Sequence, residues 1–243
     1  MKLLKGILLQ AFLAGLTILF FFALGESSVR LVQYVRDGRP FLSYVGMHAE
    51  FDSNLGWKTP PNQRHIYITE NGAGAKHEVH YSTGPHGFRL YDDANSRNTK
   101  IMVVGDSFTH AVDVSDDQTY YAELKKNLSD WMPVEIFGYG SLGYGTLQEV
   151  MIVEQNIKEI RPDILILQFC SNDFINNSVA LESKSLMNIS FLPRPFLGPD
   201  GTIKMQMPRM PYLSSMVIWE AASYSRFLKW MIYRFSNWIA EAN

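Results

Sequence analysis

The sequence contains a single cysteine, Cys170, among 243 residues. One cysteine excludes an internal disulfide and a cysteine-based zinc site. Cys170 lies in an apolar run, where a structural thiol is typical. No metal site is therefore expected from cysteine.

An excess of either charge is also lacking. The chain has 22 Lys and Arg against 24 Asp and Glu, a net charge of −2. Without a basic excess to neutralise phosphates, nucleic acid is not expected as a partner. No Walker A lysine pattern is present either.

Charged residues are absent from Ile7 to Leu24, where only Gln10 and Thr17 are polar beyond glycine. A helix of this length rises about 27 Å, close to the hydrocarbon thickness of a bilayer. Lys2 and Lys5 precede the segment, which favours an N-terminus in the cytoplasm and a chain that continues outside it. Residues 1–25 are thus predicted to be a single-pass membrane anchor. A cleaved signal peptide ending near Ala23-Leu24-Gly25 is the alternative.

Residues 26–99 are predicted to be a juxtamembrane helix and linker, Glu26 to Ser43, followed by a small β-rich leader. Alternating stretches at His65–Thr69 and His77–Tyr81 predict antiparallel strands joined by a turn at Asn71–Gly74. Arg89 to Thr99 is predicted to be a polar link.

From residue 100 onward, short apolar runs alternate with helical patterns. Strands are predicted at Lys100–Val104, Val134–Phe137 and Ile164–Phe169, and helices at Tyr120–Leu128 and Gly143–Ile160. This alternation indicates an α/β domain, residues 100–243, with a parallel sheet and helices on both faces.

The last part of that domain, residues 186–243, is predicted to be a lid or insert. Its Pro- and Met-rich stretch, Leu192 to Pro211, is predicted to be a loop. Apolar residues at helical spacing then predict a helix over Ser214–Ala240.

Polar or glycine residues follow each predicted strand. The first strand leads to Asp106-Ser107, the second to the run from Gly138 to Gly143, and the third to Ser171-Asn172-Asp173. Because parallel strands end at one edge of a sheet, these groups are expected to meet there. A serine nucleophile beside a glycine N–H and an asparagine amide suits acyl transfer, in which the donors stabilise a tetrahedral oxyanion.

Each group also has a simpler interpretation. Ser107 would serve equally as a helix N-cap, and Asn172-Asp173 as a turn pair. Gly138-x-Gly140-x-x-Gly143 matches a dinucleotide fingerprint, but the next strand ends in Gln168-Phe169-Cys170 without the required acid. A nicotinamide or flavin site is therefore not favoured, and no cofactor is expected.

The run Gly105-Asp106-Ser107-Phe108-Thr109 resembles block I of the SGNH, or GDSL, hydrolase superfamily. Gly143 falls at the position of the block II glycine and Asn172 at that of the block III asparagine. The segment from Asp52 to Trp57 is similar to the leader of membrane-anchored bacterial members. The resemblance implies a flavodoxin-like three-layer α/β/α fold, Ser107 as nucleophile, and an oxyanion hole formed by the N–H groups of Ser107 and Gly143 with the Asn172 side chain.

Two positions depart from the family pattern. Gly138 stands where relatives often carry asparagine, and no Asp-x-x-His block follows Asn172. All six histidines lie at or before residue 110: His48, His65, His77, His80, His86 and His110. His110 follows Ser107 by three residues and is a poor base on geometry.

Two interpretations of the missing base remain open, a C-terminally truncated fragment with an incomplete sheet and a pseudoenzyme. Under both, this chain alone is expected to be nearly inactive. The expected function is that of a membrane-anchored, extracytoplasmic serine esterase or O-acyltransferase. Its substrate would be an acyl ester, such as an acetyl ester, of a glycan or lipid. The alternative is a non-catalytic glycan- or lipid-binding or assembly protein.

Overall fold

The architecture comes from a computed structural model. It describes residues 2–37, 49–70, 74–185 and 193–206, together with residues 221, 225–228, 230–232 and 234. The chain divides into two compact units, one formed by Met1–Val45 with Glu220–Asn243 and the other by Gly46–Trp219.

The first unit is built on one long helix, α1 (Lys2–Asp37), of 36 residues. The predicted anchor and juxtamembrane helix are thus a single element that rises about 54 Å. Among the described residues, α1 is the one helix long and apolar enough to cross a membrane, and a signal sequence has the same properties. The prediction of an apolar N-terminal helix is confirmed. That this helix is an uncleaved membrane anchor, and not a cleaved signal peptide, stays a prediction.

The C-terminal part of this unit contacts α1 through Glu26. The Glu26 carboxylate accepts hydrogen bonds from the Ser225 hydroxyl (2.8 Å) and from the backbone N–H groups of Arg226 (3.1 Å) and Phe227 (2.9 Å). These bonds satisfy donors at the start of the helical stretch that follows Ser225, which an acidic group does well. Most of the helix predicted over Ser214–Ala240 lies outside the described residues.

The second unit begins with two antiparallel hairpins. The first pairs β1 (Glu50–Asp52) with β2 (Gly56–Lys58), and the second pairs β3 (Arg64–Glu70) with β4 (Lys76–Ser82). The predicted antiparallel strands of the leader are confirmed. The predicted turn between them lies mostly outside the described residues.

A four-stranded, mostly parallel sheet follows, so the coarse α/β prediction is confirmed. Its strands are β5 (Leu90–Tyr91), β6 (Thr99–Gly105), β7 (Val134–Gly140) and β8 (Ile164–Gln168), in the order β5-β7-β6-β8. β6 is parallel to both neighbours, and β5 is antiparallel to β7. The prediction that residues 89–99 are only a link is wrong for β5, because Leu90 and Tyr91 pair with the backbone of Gly138 and Phe137.

Among the described residues, this unit contains five α-helices, three of them between strands of the sheet. They are α2 (Ser107–His110), α3 (Tyr120–Ser129), α4 (Thr146–Ile160), α5 (Asp173–Asn176) and α6 (Val179–Glu182). The predicted start of α4 at Gly143 is wrong, because Gly143 has a φ of +71° and lies in a turn. α4 ends where predicted, since Arg161 adopts the left-handed conformation directly before Pro162.

The core lies on both faces of the sheet because successive side chains of β6 point to opposite sides. Met102 and Val104 pack with Ile152 of α4 in one buried cluster. Ile101 and Val103 pack with Tyr121 of α3 in another. The continuous apolar sequence of β6 is thus explained by burial on both faces.

The segment predicted to be a loop contains a hairpin, so that prediction is wrong. β9 (Arg194–Leu197) pairs antiparallel with β10 (Ile203–Gln206). The turn between them includes Gly201 at φ +76°, and the Gly198 N–H donates to the Thr202 carbonyl (2.8 Å). The Asp200-Gly201 pair is a turn signal that the Pro-rich composition concealed.

Gly138 and Gly140 lie inside β7, which extends three residues beyond the predicted end at Phe137. A Cβ at Gly138 would lie 2.7 Å from the Tyr121 ring, and one at Gly140 would lie 2.0 Å from the His110 backbone nitrogen. These glycines therefore allow α3 and α2 to approach the sheet. They do not form the phosphate-binding turn that a dinucleotide fingerprint requires.

Replacing Gly140 by alanine is expected to destabilise the second unit by about 3 kcal/mol, because the added methyl group meets backbone rather than a movable side chain. Thermal unfolding of the detergent-solubilised chain, followed by circular dichroism, measures the change.

The matched control is Gly15→Ala, where an added Cβ has no atom within 4 Å. Equal unfolding temperatures for Gly140→Ala and the control would contradict the close approach of α2 to β7.

Candidate active site

Three loops meet at the carboxyl edge of the parallel strands. They follow β6 at Asp106, β7 at Ser141 and β8 at Phe169. The Ser141 N–H donates to the Gly105 carbonyl (3.4 Å), which joins the first two loops. The Asn172 side-chain Nδ2 donates to Asp106 Oδ2 (3.0 Å), which joins the first and third. Two hydrogen bonds thus connect the loops that were expected to meet at this edge.

Ser107 is the first residue of α2 and does not cap it. The N-cap is Asp106, whose Oδ1 accepts the Phe108 N–H (2.9 Å). The alternative interpretation of Ser107 as an N-cap is therefore wrong. The Ser107 side chain is half-buried, and no hydrogen bond of its hydroxyl to any described residue is found. A hydroxyl without an internal partner is available to a ligand.

Asp106 is completely buried and orients Asn172. An asparagine amide carries two N–H donors, and the bond to Asp106 uses one of them. The second donor remains for a group bound at the edge of the sheet. Asp106 thus holds both the start of α2 and the amide of Asn172.

The loop after β7 is fixed through its carbonyl groups. Trp57 Nε1 donates to the Leu142 carbonyl (3.0 Å), and Arg194 Nη2 to the Gly143 carbonyl (2.6 Å). Asn176 Nδ2 donates to the carbonyls of Gly143 (3.2 Å) and Tyr144 (3.0 Å). The Gly143 N–H makes no hydrogen bond within the described residues, and it remains a free backbone donor.

Arg194 is the centre of a buried polar network that the sequence did not reveal. Its guanidinium is 2% exposed and pairs with Glu182, which is 1% exposed, at 3.1 Å. It also donates to Gln148 Oε1 (2.9 Å) and lies over the Trp57 ring, 4.8 Å from its centroid. Burial lowers the pKa of Arg194 to about 10. The guanidinium still stays charged at neutral pH, and its separate nitrogens bind the Gly143 carbonyl, Gln148 and Glu182 at once.

Asp173 adds a second buried carboxyl group, beside that of Asp106, to the loops that carry Ser107 and Asn172. Asp173 accepts hydrogen bonds on Oδ2 from the Cys170 N–H (3.3 Å) and the Thr146 hydroxyl (3.2 Å). Burial raises the pKa of Asp173, and the nearby Asp106 carboxylate adds to the rise. Asn172-Asp173 is thus more than a turn pair, because both side chains take part in this network.

Glu149 of α4 is 1% exposed, and neither of its carboxylate oxygens has a hydrogen-bond partner within the described residues. Burial, together with the charges of Asp173 and Asp106, raises the pKa of Glu149 to about 8. A carboxyl without a partner costs least when it is neutral, so Glu149 is protonated at neutral pH.

His110 is buried, and its Nε2 lies 2.8 Å from the Tyr81 hydroxyl. His77 bonds to the Asp113 carbonyl, His80 to Glu78 and His86 to Glu159. No described histidine hydrogen bonds to Ser107, and His48 lies outside the described residues. The described part of the chain thus brings together a hydroxyl and two free N–H donors without a histidine base.

Within the described residues, no group of three or more His, Cys, Asp or Glu side chains is arranged to bind a metal ion. No protein-family model matches the chain, and no curated protein matches it either. The family resemblance of the three loops therefore stays a prediction.

The raised pKa of Glu149 predicts a pH-dependent stability. An unfolded glutamate ionises near pH 4, whereas the folded Glu149 keeps its proton to about pH 8. Between these pH values the folded chain holds a proton on Glu149 that the unfolded chain releases. The free energy of unfolding therefore falls as pH rises, and this group contributes about 1 kcal/mol per pH unit. Above about pH 8 both states are ionised and the loss stops.

Glu149→Gln removes this titration. Its stability relative to the unmodified chain is expected to rise from pH 5 to pH 8 and then to level off, as measured by denaturant unfolding. Glu154→Gln, which replaces an exposed carboxylate of the same helix, is the control. A pH-independent difference between Glu149→Gln and the unmodified chain would contradict a protonated, buried Glu149.

Proposed function

We propose that this chain carries the nucleophile and oxyanion hole of an SGNH-type serine esterase or O-acyltransferase. The observation that supports the proposal best is the free Ser107 hydroxyl at the end of the central strand β6. Ser107 directly follows Asp106, whose carboxylate binds the Asn172 amide, and the loop that contains Gly143 is bonded to Gly105 through the Ser141 N–H. The substrate would be an acyl ester, such as an acetyl ester, of a glycan or lipid.

In the proposed reaction, Ser107 Oγ attacks the ester carbonyl carbon and gives its proton to a base. The carbonyl oxygen becomes an oxyanion, which accepts hydrogen bonds from the N–H groups of Ser107 and Gly143 and from the second N–H of Asn172. The alcohol then leaves with a proton, and an acyl-Ser107 remains. Water or a second hydroxyl takes the acyl group in the next step.

The flavodoxin-like three-layer fold belongs to the same proposal. The parallel core β7-β6-β8 with α3 and α4 on opposite faces supports it. β8 is an edge strand within the described sheet, and Ile164, Leu165 and Leu167 are each more than a third exposed there. Both faces of a parallel sheet are normally covered by helices, and a free edge is normally paired, so these exposed residues at the edge favour a further strand and helix packed against β8. A base would enter the site with such a segment.

A non-catalytic role in glycan or lipid binding is the second candidate. One observation favours it, namely that no described histidine hydrogen bonds to Ser107. The two candidates differ in whether Ser107 reacts once a base is present, and a base added in solution can supply that role.

The first test is therefore labelling of Ser107 with a fluorophosphonate, with and without imidazole in solution. Labelling is expected to be slow alone and about tenfold faster with imidazole, because a general base contributes strongly to serine reactivity. Mass spectrometry of the digested protein locates and quantifies the modified serine.

Ser107→Ala is expected to abolish this labelling, and Ser141→Ala, which removes a buried hydroxyl of the neighbouring loop, is expected to retain it. Fast labelling without imidazole would reveal a base within the chain. No acceleration by imidazole would favour the binding role.

We also propose that α1 is an uncleaved anchor and that the second unit lies outside the cytoplasm, in the periplasm or the extracellular space. The length of α1 and the two lysines before its apolar run support this topology. The protein is expected to stay in the membrane pellet after alkaline carbonate extraction, as detected by immunoblotting. Recovery of a shortened form in the soluble fraction would identify a cleaved signal peptide.

A further inference from the structure

The indole of Trp57 is hydrogen-bonded to the Leu142–Gly143 peptide, which carries the Gly143 N–H of the proposed oxyanion hole. Trp57 belongs to β2 of the leader and is 1% exposed. Its Nε1–H donates to the Leu142 carbonyl, 3.0 Å away. That carbonyl belongs to the same peptide unit as the Gly143 N–H. In a trans peptide the two groups point in opposite directions within one plane, so the bond sets the direction of the Gly143 N–H.

The turn that contains this peptide has two accessible forms. Ser141 to Tyr144 form a β-turn, in which the Tyr144 N–H donates to the Ser141 carbonyl (3.3 Å). Gly143 occupies the third position with a φ of +71°, and Leu142 has no positive φ, which is the pattern of a type II turn. Rotation of the Leu142–Gly143 peptide converts a type II turn to type I and reverses the N–H. Glycine at the third position is compatible with both forms, so the sequence of the turn permits the rotation.

We propose that Trp57 is a positioning residue for the oxyanion hole, because its indole N–H holds the Leu142–Gly143 peptide in the type II orientation. In that orientation the Gly143 N–H points away from Trp57 and remains free. The inference rests on the proposed function, since it gives the leader hairpin a role in the same site. In a type I turn the Leu142 carbonyl would take the place of the Gly143 N–H, and the oxyanion would face an acceptor instead of a donor.

Trp57 is itself held from several directions. The Arg194 guanidinium lies 4.8 Å from the centroid of its ring, and the ring packs edge-on against Tyr144 at 5.6 Å. The Tyr144 hydroxyl donates to the Trp57 carbonyl (2.6 Å). Arg194 also binds the Gly143 carbonyl, on the next peptide (2.6 Å). The indole therefore has little freedom to follow a rotating Leu142 carbonyl.

The test compares Trp57→Phe with Tyr67→Phe in the full chain. Tyr67 lies in the other hairpin of the leader, and its hydroxyl donates to the Val112 carbonyl, outside the turn. Each variant keeps an aromatic ring and removes one side-chain donor from the leader to a backbone carbonyl. Only Trp57→Phe releases the Leu142 carbonyl, so the two variants separate a specific effect on the peptide from a general loss of stability. Thermal unfolding is expected to show similar decreases for both.

Nuclear magnetic resonance observes the peptide directly. Labelling leucine carbonyl carbons with ¹³C and glycine nitrogens with ¹⁵N leaves signals from the Leu–Gly peptides alone, which follow Leu24, Leu55, Leu142 and Leu197. The signal lost in Gly143→Ala assigns the peptide. In Trp57→Phe this signal is expected to split or to shift, whereas in Tyr67→Phe it is expected to stay in place. An unchanged signal in Trp57→Phe would overturn the inference.

The imidazole-assisted labelling of Ser107 supplies the second readout. The rate is expected to fall about tenfold in Trp57→Phe, less than the hundredfold or more that removal of an oxyanion donor costs, and to stay unchanged in Tyr67→Phe. A moved peptide signal with an unchanged labelling rate would overturn the role of Trp57 in the oxyanion hole. If Ser107 in the unmodified chain is labelled no faster than the Ser107→Ala background, the proposed function fails, and the peptide signal still decides whether Trp57 holds the turn.

Discussion

The parallel pairing of β6 with β7 on one side and β8 on the other is the constraint on which the candidate site depends. The register aligns Gly105 with Gly140 and with Gln168, so the three strands end together. Three chain segments separated by dozens of residues therefore leave the sheet at one edge. The bond between Asn172 and Asp106 then joins the outer loop to the central one.

The loops are held by buried polar groups from outside the sheet. Trp57 comes from the leader and Arg194 from the hairpin β9–β10, and both bind carbonyls of the loop after β7. Such groups are expensive to bury unless they are paired, so they specify one arrangement of the loop. The hairpin β1–β2 of the leader thus contributes to the structure of the site, because its Trp57 binds the peptide that carries the Gly143 N–H.

Several elements followed from local patterns, because apolar runs and alternation report burial directly. The strands β6 and β8, the helix α3, the end of α4 at Arg161 and the hairpin β3–β4 are of this kind. The elements that were missed depend on distant partners. Leu90 and Tyr91 form a strand only because β7 accepts them, and β9 contains a proline that concealed its pairing with β10. Gly138 and Gly140 were assigned to a loop, whereas they lie in a strand that needs space for Tyr121 and α2.

The sequence by itself determined the apolar N-terminal helix, the α/β alternation and the three polar groups at the strand ends, since each depends on residues that are neighbours in the chain. Only the tertiary structure decided that Asp106, and not Ser107, caps α2, that Asp106 holds Asn172, and that Trp57 and Arg194 hold the Gly143 loop. It also decided that Glu149 is buried with no hydrogen-bond partner in the described part of the chain. The physical reason is that hydrogen bonding and burial of a polar side chain depend on which distant segments pack around it, and no local pattern records that.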